Sequence, residues 1–408
     1  MAFLNLFDQG KIKQIAEQLP HPCIEKQKRS VLDALGYVLA EDVICEEDIP
    51  PKARSEVDGY AVRSRDVKGA SVERPSLLTK VGTIAVDEVP TFTLLPGECA
   101  YIPTGAILPQ DADAVVMIEH AEESGNFVEV FKTVAPLENV ISPGEDMKNG
   151  DAVLKQGDVI DAAAVGLLSY LGKTDVSVYA PLRVYVAATG NEIVEPSEAA
   201  PLGRYHDANS FSVTALLNDH GFLATRGPII PDDITLLKQT LKEASEHFNA
   251  VVFTGGSSAG VRDLVVNALR DEGGTLIAHG FTIKPGKPTI IGSMGSSVFI
   301  GLPGHPMSCY VSASLILLPL LRSLRNEEIK PLPLLKARLR TSVFSKIGVE
   351  EWIPMKLDFD HASAELWVEP VFSKSAMVSS LVRNDGFLRV PPEKEGLEMG
   401  ELVEVLLL

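Results

Sequence analysis

The segment AVVFTGGSSAGVRDLVVNALRD, residues 250–271, decides the fold. Its first five residues form an apolar run of strand length, and from about residue 262 apolar residues recur at helical spacing. Gly255 and Gly256 separate the two parts, so a buried strand passes through a tight turn into a helix. The turn matches neither the GxxxxGK[ST] phosphate loop nor the GxGxxG dinucleotide motif. The segment therefore predicts one strand–loop–helix unit of an α/β domain, with a helix start suited to an anion.

The same alternation of strand and helix continues on both sides of this segment. Strands are predicted at residues 182–188, 289–291 and 297–300, and helices at residues 209–219, at 232–247 with Asp232 or Asp233 as the N-cap, and from Pro306 onward. This alternation predicts a doubly wound α/β domain, in which a parallel sheet is covered by helices on both faces. Ligands of such sheets bind at the carboxyl ends of the strands, so the loops that follow the strands are the candidate site.

The regions before the α/β domain differ from it in the spacing of their apolar residues. Residues 24–40 carry apolar side chains at three- and four-residue spacings and predict a helix. Between residues 45 and 136, β-rich runs at 60–62, 77–81, 114–118 and 127–131 are split by Gly and Pro, which predicts an all-β module. A helix is predicted at residues 162–171, with Gly172 at its end.

The last part of the chain follows a proline-rich linker at residues 330–333. Strand-like runs at 335–343, 352–359, 365–368 and 402–408 surround one short predicted helix at 376–383. This pattern predicts a small β-barrel or sandwich.

Composition and charge exclude several classes of protein. The chain has 408 residues, and 37 Lys and Arg against 55 Asp and Glu give a formal charge of −18. With 45% apolar residues it is an ordinary globular chain, neither disordered nor fibrous. The acidic balance argues against nucleic acid as a partner, since phosphate contacts need a basic face.

Cysteine usage and the apolar segments predict the compartment. Cys23, Cys45, Cys99 and Cys309 form no CxxC pair and have no histidine at metal-ligand spacing, which predicts reduced thiols. The first twenty residues lack the apolar core of a signal peptide, and the most apolar run, at residues 315–321, is too short to span a bilayer. We expect a soluble, cytoplasmic protein with no membrane partner.

A stretch without acidic residues is the strongest local feature. Between Glu272 and Glu327 there is no Asp or Glu, and Lys284 and Lys287 frame the turn IKPGKP. Two prolines and a glycine stiffen this turn, so the two cations are held in place without competing carboxylates, as an anion site requires. The alternative is a buried segment that simply excludes charge, but such a segment has no need of two lysines on a rigid turn.

Loops with possible ligands occur elsewhere along the chain. Gly301-Leu302-Pro303-Gly304-His305-Pro306 is a second stiff loop that leads to a helix start. Four turns carry carboxylates, namely Asp58, Asp146, Glu192 and the pair Asp232-Asp233. Each alone is most simply a solvated turn or an N-cap, whereas together with substrate oxygens they could hold Mg²⁺.

Eight motifs follow one another in order along the chain. They are Ser55-Glu56-Val57-Asp58-Gly59-Tyr60-Ala61, Pro103-Thr104-Gly105-Ala106, Pro143-Gly144-Glu145-Asp146, Thr189-Gly190-Asn191-Glu192, Thr254-Gly255-Gly256 through Asp263, Lys284-Pro285-Gly286-Lys287-Pro288, Gly301-Leu302-Pro303-Gly304 and Ser379-Ser380-Leu381. By this ordered set the chain resembles the molybdopterin molybdenumtransferase family (MoeA type), to which the C-terminal domain of gephyrin also belongs. The resemblance extends over nearly the whole chain.

The resemblance implies a Mg²⁺-dependent transferase of molybdenum cofactor biosynthesis. Such an enzyme inserts molybdate into adenylylated molybdopterin and releases AMP. The implied catalytic residues are Asp58, Thr104, Glu192, Asp263, Lys284 and Lys287. The implied pterin- and nucleotide-binding residues are Gly255, Gly256, Ser257, Asp232, Pro303, Pro306 and either Ser379 or Ser380. The implied metal ligands are Asp146, Glu192 and Asp263.

The resemblance also implies an assembly. Family members are homodimers of four-domain chains, which here gives a discontinuous linker domain (1–45 with 139–178), an inserted β-rich domain (46–138), an α/β domain (179–328) and a C-terminal β-barrel domain (329–408). Asp58 and Thr104 then complete the site of the partner chain. The molybdopterin adenylyltransferase is the implied partner enzyme.

Two residues depart from the family pattern, and two other functions stay open. Asn191 stands where Asp is usual, which removes a candidate carboxylate, and His305 stands where Asn is common, which predicts a pH-dependent contact. One alternative is a molybdopterin adenylyltransferase, whose glycine loop ends in Arg-Asp much as Arg262-Asp263 does here. The other is a non-enzymatic scaffold of the gephyrin kind. No residue predicts a preference between molybdate and tungstate.

Overall fold

A computed structural model describes residues 11–255, 259–328, 331–362, 364–372 and 374–407, without the side chains of residues 259–262. Gly256 and Ser257, two of the predicted ligand-binding residues, lie outside the described residues. Contacts within the chain define two compact units. One unit is Asp42–Gln156, and the other combines Met1–Glu41 with Gly157–Leu408. The finer division into four domains stays a prediction.

The N-terminal segment contradicts the predicted helix at residues 24–40. Helix α1 covers Ile12–Ala16, and Lys26–Ser30 forms strand β1, which pairs antiparallel with a strand at Asp175–Tyr179. The backbone N–H groups of Val31 and Gly36 donate to carbonyl groups of residues 174 and 160, at 3.1 and 2.8 Å. The prediction was wrong because these long-range backbone bonds replace the helical ones, and the helical spacing of apolar residues was incidental.

The regular structure of the unit Asp42–Gln156 consists of strands and two short 3₁₀ helices, Ser64–Val67 and Ile118–His120. The strands are β2 (Val43–Ile44), β3 (Arg54–Ser55), β4 (Gly59–Val62), β5 (Ser76–Thr83), β6 (Glu98–Ile102), β7 (Ala114–Met117), β8 (Ala121–Ser124), β9 (Phe127–Val130), β10 (Val140–Ile141) and β11 (Ala152–Leu154). Six of them form a sheet in the order β7-β4-β6-β5-β9-β8, while β3 pairs with β10 and β2 with β11. The four β-rich runs predicted in this region lie on strands, except for their last residues Ile118 and Phe131, which lie just past the ends of β7 and β9.

The second unit continues with the α/β body. Its elements are α2 (Ala162–Tyr170), β12 (Asp175–Tyr179), β13 (Arg183–Thr189), β14 (Ile193–Val194), β15 (Tyr205–His206), α3 (Asn209–Asp219), β16 (Leu223–Arg226), α4 (Ile234–His247), β17 (Ala250–Gly255), α5 (Ala259–Asp271), β18 (Thr275–His279), β19 (Ile283–Lys284), β20 (Ile290–Met294), β21 (Ser297–Leu302), α6 (Pro306–Ser312) and α7 (Leu318–Leu324). Asp161 caps α2, and Asp233 caps α4 through bonds to the N–H groups of Thr235 and Leu236.

The central sheet has the order β16-β13-β17-β21-β20-β18. Strands β16, β13, β17 and β21 are parallel, but β20 pairs antiparallel with both β21 and β18, so the prediction of a wholly parallel sheet was wrong at this edge. Only Gly295 and Ser296 connect β20 to β21, and a two-residue loop can join only antiparallel strands. Side chains alternate between two cores, since Val252 packs on the side of α3 and α6 while Val251 and Phe253 pack on the side of α4 and α5.

The last helix of the α/β body is interrupted by a π-helical turn at Ala313–Leu317, between α6 and α7. Pro319 follows directly and has no N–H to donate to the carbonyl four residues earlier, which accounts for the change of helical pitch there. The helical stretch Pro306–Leu324 is long and apolar enough to cross a membrane by length and composition. It is longer than the apolar run at residues 315–321 on which the sequence prediction was based. In this fold 72% of its most apolar window is buried inside the protein.

The C-terminal strands close into a barrel. They are β22 (Leu334–Leu339), β23 (Val343–Phe344), β24 (Glu350–Asp360), β25 (Glu365–Pro370), β26 (Gly386–Val390), β27 (Gly396–Leu397) and β28 (Leu402–Leu407), with one short helix, α8 (Ser379–Val382). The sheet runs β24-β25-β22-β28-β26, and β26 pairs back onto β24. The structure is therefore a barrel and not a sandwich. Strand β19 adds to β24 in parallel and ties the lysine turn to the barrel wall.

Candidate functional site

The carboxyl ends of β13, β17 and β21 meet at one edge of the sheet, as parallel register requires. Strand β17 ends at Gly255, whose φ is +142°. A Cβ at this position would lie 2.2 Å from the carbonyl oxygen of Thr189, so no other residue fits beside β13. The predicted glycine turn after β17 is thus required by the close approach of two strands.

Two threonines at this edge have buried hydroxyl groups that no described residue bonds. Thr189 and Thr254 are 2% and 1% exposed, and the Oγ1 atom of each has no hydrogen-bond partner among the residues that the structure describes. A cavity of about 10 Å³, room for one water molecule, lies between Thr189, Gly255, Pro288 and Pro303. Buried hydroxyls normally have partners, so this edge is prepared for a polar group. Both threonines stand in motifs that the sequence singled out, but neither was among the predicted site residues.

Carboxylates lie on two loops, one after β13 and one between β16 and α4. We call the group formed by Asn191, Glu192 and Asp232 the acidic edge. The N–H group of Asp232 donates to Asn191 Oδ1 at 3.2 Å, and the N–H group of Asn191 donates to Asp232 Oδ2 at 3.3 Å. The other carboxylate oxygen, Asp232 Oδ1, is buried and has no hydrogen bond within the described part of the chain. Glu192 is exposed, and its carboxylate lies against Gly190. The acidic edge therefore offers carboxylate oxygens as ligands for a cation.

On the other side of Pro288 and Pro303 lies a cleft of about 970 Å³, which we call the basic cleft. Lys284 and Lys287 from the predicted turn line it, together with Lys374 from the C-terminal region. The turn is rigid, because Thr289 Oγ1 donates to the Gly286 carbonyl at 2.8 Å and a Cβ on Gly286 would lie 2.6 Å from Ser312 Oγ. The structure thus places a third cation, Lys374, at the predicted anion site. Lys374 was not predicted there because it lies far from the lysine turn in the sequence.

The expectation that no carboxylate competes for the lysines was wrong for Lys284. Its Nζ atom lies 2.6 Å from Glu351 Oε1. Glu351 belongs to β24, well outside the acid-free stretch, and reaches Lys284 because β19 and β24 pair in register. Among the described residues, Lys287 and Lys374 form no ion pair.

The second stiff loop borders the basic cleft from the α/β side. Asn209 Nδ2 donates to the Gly304 carbonyl at 2.8 Å, which fixes the loop before α6. His305 Nδ1 lies 3.0 Å from Ser375 Oγ, and the Ser375 carbonyl accepts a bond from the N–H group of Met307 at 3.1 Å. Pro303 lines both cavities, and Pro306 is the first residue of α6. Lys374 is placed at the cleft by these bonds of the neighbouring Ser375.

The two serines of the SSL motif differ. Ser380 is 6% exposed, and its hydroxyl donates to the Met377 carbonyl at 2.5 Å, so it closes the turn before α8. Ser379 is exposed at the first position of α8. Of the two alternatives, Ser379 is the one whose side chain faces solvent, which favours it as the ligand-binding serine.

Asp58 and Thr104 lie together on the surface of the unit Asp42–Gln156. Thr104 donates to Asp58 Oδ1 twice, from its N–H group at 2.7 Å and from its hydroxyl at 3.0 Å. Both bonds lower the pKa of the Asp58 carboxyl below its ordinary value of 3.8, and the bond from the backbone N–H group has the larger effect. Because the folded-state pKa is the lower one, the stabilisation is present above about pH 4 and is lost as the pH falls through the lowered value.

The remaining predicted carboxylates are exposed. Asp146 lies in the same unit as Asp58, on a turn held by a bond from its own N–H group to the Ile49 carbonyl. Asp263 is exposed on α5. In the parts of the chain that the structure describes, no three His, Cys, Asp or Glu side chains lie close enough together to hold a metal ion by themselves.

Comparisons with known proteins cover nearly the whole chain. Residues 9–172 match the MoeA N-terminal region (domain I and II), residues 185–323 match a molybdopterin binding domain, and residues 336–408 match the MoeA C-terminal region (domain IV). A molybdopterin biosynthesis protein of Methanocaldococcus jannaschii is 35% identical over 93% of this chain and 91% of its own length. A molybdopterin molybdenumtransferase of Staphylococcus epidermidis is 28% identical over 97% of this chain and 94% of its own length.

Solved structures agree with these relatives. A molybdopterin biosynthesis MoeA protein from Pyrococcus horikoshii superposes with a TM-score of 0.75 at 33% identity, covering 99% of each chain. A second MoeA structure from the same organism gives a TM-score of 0.81 at 27% identity, covering 99% of this chain and 100% of the other.

Proposed function

Because the chain belongs to the MoeA family, we propose that it is a molybdopterin molybdenumtransferase, which inserts molybdate into adenylylated molybdopterin and releases AMP in molybdenum cofactor biosynthesis. The observation that carries this proposal is the basic cleft beside the acidic edge. The small cavity lined by Thr189, just before the acidic edge, and the basic cleft have Pro288 and Pro303 in common. The lysines of the basic cleft suit anions, and the carboxylates of the acidic edge suit a cation.

The basic cleft matches the charges of both substrates. Molybdate is an oxyanion, and the pyrophosphate link of adenylylated molybdopterin is an anion as well. Lys287 and Lys374 are exposed cations without an ion pair among the described residues, and Lys287 stands on the rigid turn. Fixed cations stabilise negative charge that develops on a phosphoryl oxygen and on the departing AMP. No nucleophilic side chain is required, because water or a molybdate oxygen can attack.

The acidic edge fits Mg²⁺, which takes one or two protein carboxylates and completes its shell with substrate oxygens and water. Asp232 Oδ1, which no described residue bonds, and the exposed Glu192 are suitable oxygen ligands on this chain. Asp263 and Asp146 are the further ligands that the family pattern suggests. When bound, the ion would polarise a phosphoryl oxygen. Asn191 orients Asp232 through their two hydrogen bonds.

We propose further that the enzyme is a cytoplasmic homodimer in which Asp58 and Thr104 complete the site of the partner chain. The Asp58 carboxylate is exposed and kept charged by Thr104, so it remains available to a ligand. The four cysteines are free thiols, as is usual in a reducing compartment. The four-domain division belongs to the same proposal, as does a functional partnership with the molybdopterin adenylyltransferase.

AMP release is the test of this function. The protein is incubated with adenylylated molybdopterin and Mg²⁺, with and without molybdate, and AMP is measured by chromatography. We expect molybdate-dependent AMP release, and a loss of about 100-fold in kcat/KM for Lys287→Ala and for Asp263→Ala, the usual cost of removing one fixed electrostatic group. Lys238→Ala is the control, because Lys238 forms only a surface pair with Asp271.

Other outcomes would overturn the proposal. Pyrophosphate release from ATP and molybdopterin would identify an adenylyltransferase. No AMP release under any condition, with tight binding of a peptide, would identify a scaffold. Full activity of both Lys287→Ala and Asp263→Ala would leave the function intact and reject the site.

A further inference from the structure

The ion pair of Lys284 lies in the wall of the basic cleft. Glu351 contributes Oε1 to Lys284 Nζ at 2.6 Å and Oε2 to Ser345 Oγ at 2.8 Å, so both of its oxygens are engaged. The Glu351 side chain is 11% exposed, whereas the Lys284 side chain is 66% exposed. A carboxylate buried to this extent needs a cation, and Lys284 supplies it.

The backbone explains why the two side chains meet. Strand β19 lies beside β24 with Ile283 opposite Glu350 and Lys284 opposite Glu351. The N–H group of Glu350 also donates to the Thr282 carbonyl at 2.9 Å. The lysine turn is therefore attached to the barrel, and the Glu351 carboxylate is set by a strand and not by a flexible loop.

The pairing changes the charge of the cleft. Three lysines line it, but the charge of Lys284 is offset by Glu351, while Lys287 and Lys374 have no ion pair among the described residues. An oxyanion that enters must share the Lys284 ammonium with a carboxylate that is already bound to it. Lys284 still has N–H donors to spare, because an ammonium group carries three.

We propose that Glu351 is a positioning residue for Lys284, which holds the ammonium at the cleft wall and offsets its charge, so that the affinity for an oxyanion is set by competition with this carboxylate. The proposal rests on the proposed function, because it treats the basic cleft as the molybdate site. In this proposal Glu351, a residue of the C-terminal barrel, belongs to that site and helps to set its affinity for the oxyanion.

The test is calorimetric titration with sodium molybdate at low ionic strength, without pterin or nucleotide. Glu351→Gln keeps the size and hydrogen bonding of the side chain but removes its charge. We expect it to bind molybdate about three- to tenfold more tightly than the wild type, as expected for removal of one unit charge a few ångström from a dianion in a partly solvated cleft. The gain should shrink in 1 M salt, where such interactions are screened. Glu369→Gln is the matched control, since Glu369 lies on the same barrel and its carboxylate accepts a bond from the Thr341 hydroxyl.

A double variant provides a second test in which no charge is left unpaired. Lys284→Gln alone exposes the Glu351 carboxylate to the anion and should weaken binding. Adding Glu351→Gln should recover most of the lost affinity, whereas a purely structural role for Glu351 predicts no recovery. The inference is overturned if Glu351→Gln binds molybdate no more tightly than the wild type, or if the double variant binds no better than Lys284→Gln.

This measurement is separate from turnover. Absence of molybdate binding by the wild type would reject the inference, while molybdate-dependent AMP release would still support the proposed function. Normal competition at Glu351 without any AMP release would support the inference and reject the function.

Discussion

The acidic edge and the basic cleft are neighbours at one end of the α/β body, but they differ in how far their charged side chains are already paired. At the acidic edge, one carboxylate oxygen of Asp232 is buried and has no partner among the described residues, and its other oxygen accepts a bond from the N–H group of Asn191. In the basic cleft, Lys284 is already paired with Glu351 at 2.6 Å. The acidic edge therefore has a carboxylate oxygen available for a cation, whereas part of the positive charge of the basic cleft is already offset by Glu351.

This difference suggests how two ligands of opposite sign are kept apart. An unpartnered carboxylate oxygen favours a cation strongly, because the protein gives up no existing interaction when the ion binds. A lysine that must exchange one anion for another binds more weakly and releases more easily. The metal side is therefore expected to be the tighter site, and the oxyanion side the one that loads and unloads in each turnover.

Removal of the exposed carboxylate at the acidic edge should have the largest effect on this comparison. Glu192→Gln is expected to raise the Mg²⁺ concentration for half-maximal AMP release by at least about tenfold, since it deletes a candidate ligand. Mn²⁺ titration followed by electron paramagnetic resonance should show the same loss without any substrate. Molybdate affinity in the basic cleft should stay within about twofold, because the two ligands use different side chains.

Glu198→Gln is the matched control for this variant. Glu198 lies a few residues further along, between β14 and β15, and its side chain is exposed. Its backbone carbonyl is bonded to His206 and its backbone N–H group to the Glu195 carbonyl. If both variants lose Mn²⁺ binding equally, or if neither does, Glu192 is not a metal ligand.

A smaller effect of opposite sign is expected for Asn191→Asp. The new carboxylate can still accept the bond from the N–H group of Asp232, but it adds a like charge opposite a buried carboxylate oxygen. In a chelator the midpoint of thermal unfolding should fall by about 2 °C. Added Mg²⁺ should raise the midpoint of Asn191→Asp by more than it raises that of the wild type.

Asn249→Asp makes the same chemical change at another amide that accepts a backbone bond, here from the N–H group of Arg183 at 2.8 Å. Its midpoint should not respond to Mg²⁺ beyond the wild-type response. An equal response in the two variants would mean that Asn191 does not face a metal site.

The parts of the fold that local patterns determine could be predicted from the sequence. Helix α3 has the predicted bounds, α4 begins after the predicted cap Asp233, and Pro306 begins α6, because caps and apolar spacing act over a few residues. The strand at Lys26–Ser30 could not be predicted this way, since its partner lies about 150 residues further along the chain. The antiparallel edge of the sheet had a local signal, the two-residue loop Gly295-Ser296, which the reasoning overlooked.

The candidate site shows the same division. Lys284 and Lys287 were found because a turn and a local lack of acidic residues mark them. Glu351 and Lys374 were missed, because they reach the cleft through the pairing of β19 with β24 and through the bonds of Ser375. A stretch free of carboxylates in sequence is not free of them in space. Thr254 was missed because a buried threonine at a strand end looks like an ordinary β-branched residue.

The most direct test of the central claim, that the basic cleft is the oxyanion site, is X-ray diffraction at the molybdenum absorption edge from crystals grown with molybdate and Mg²⁺. We expect one strong anomalous peak in the basic cleft, about 4 Å from Lys287 Nζ, the distance for an ammonium bonded to a molybdate oxygen. The peak should be absent from crystals of Lys287→Ala. A strong peak elsewhere on the chain, with none in the cleft, would contradict the account.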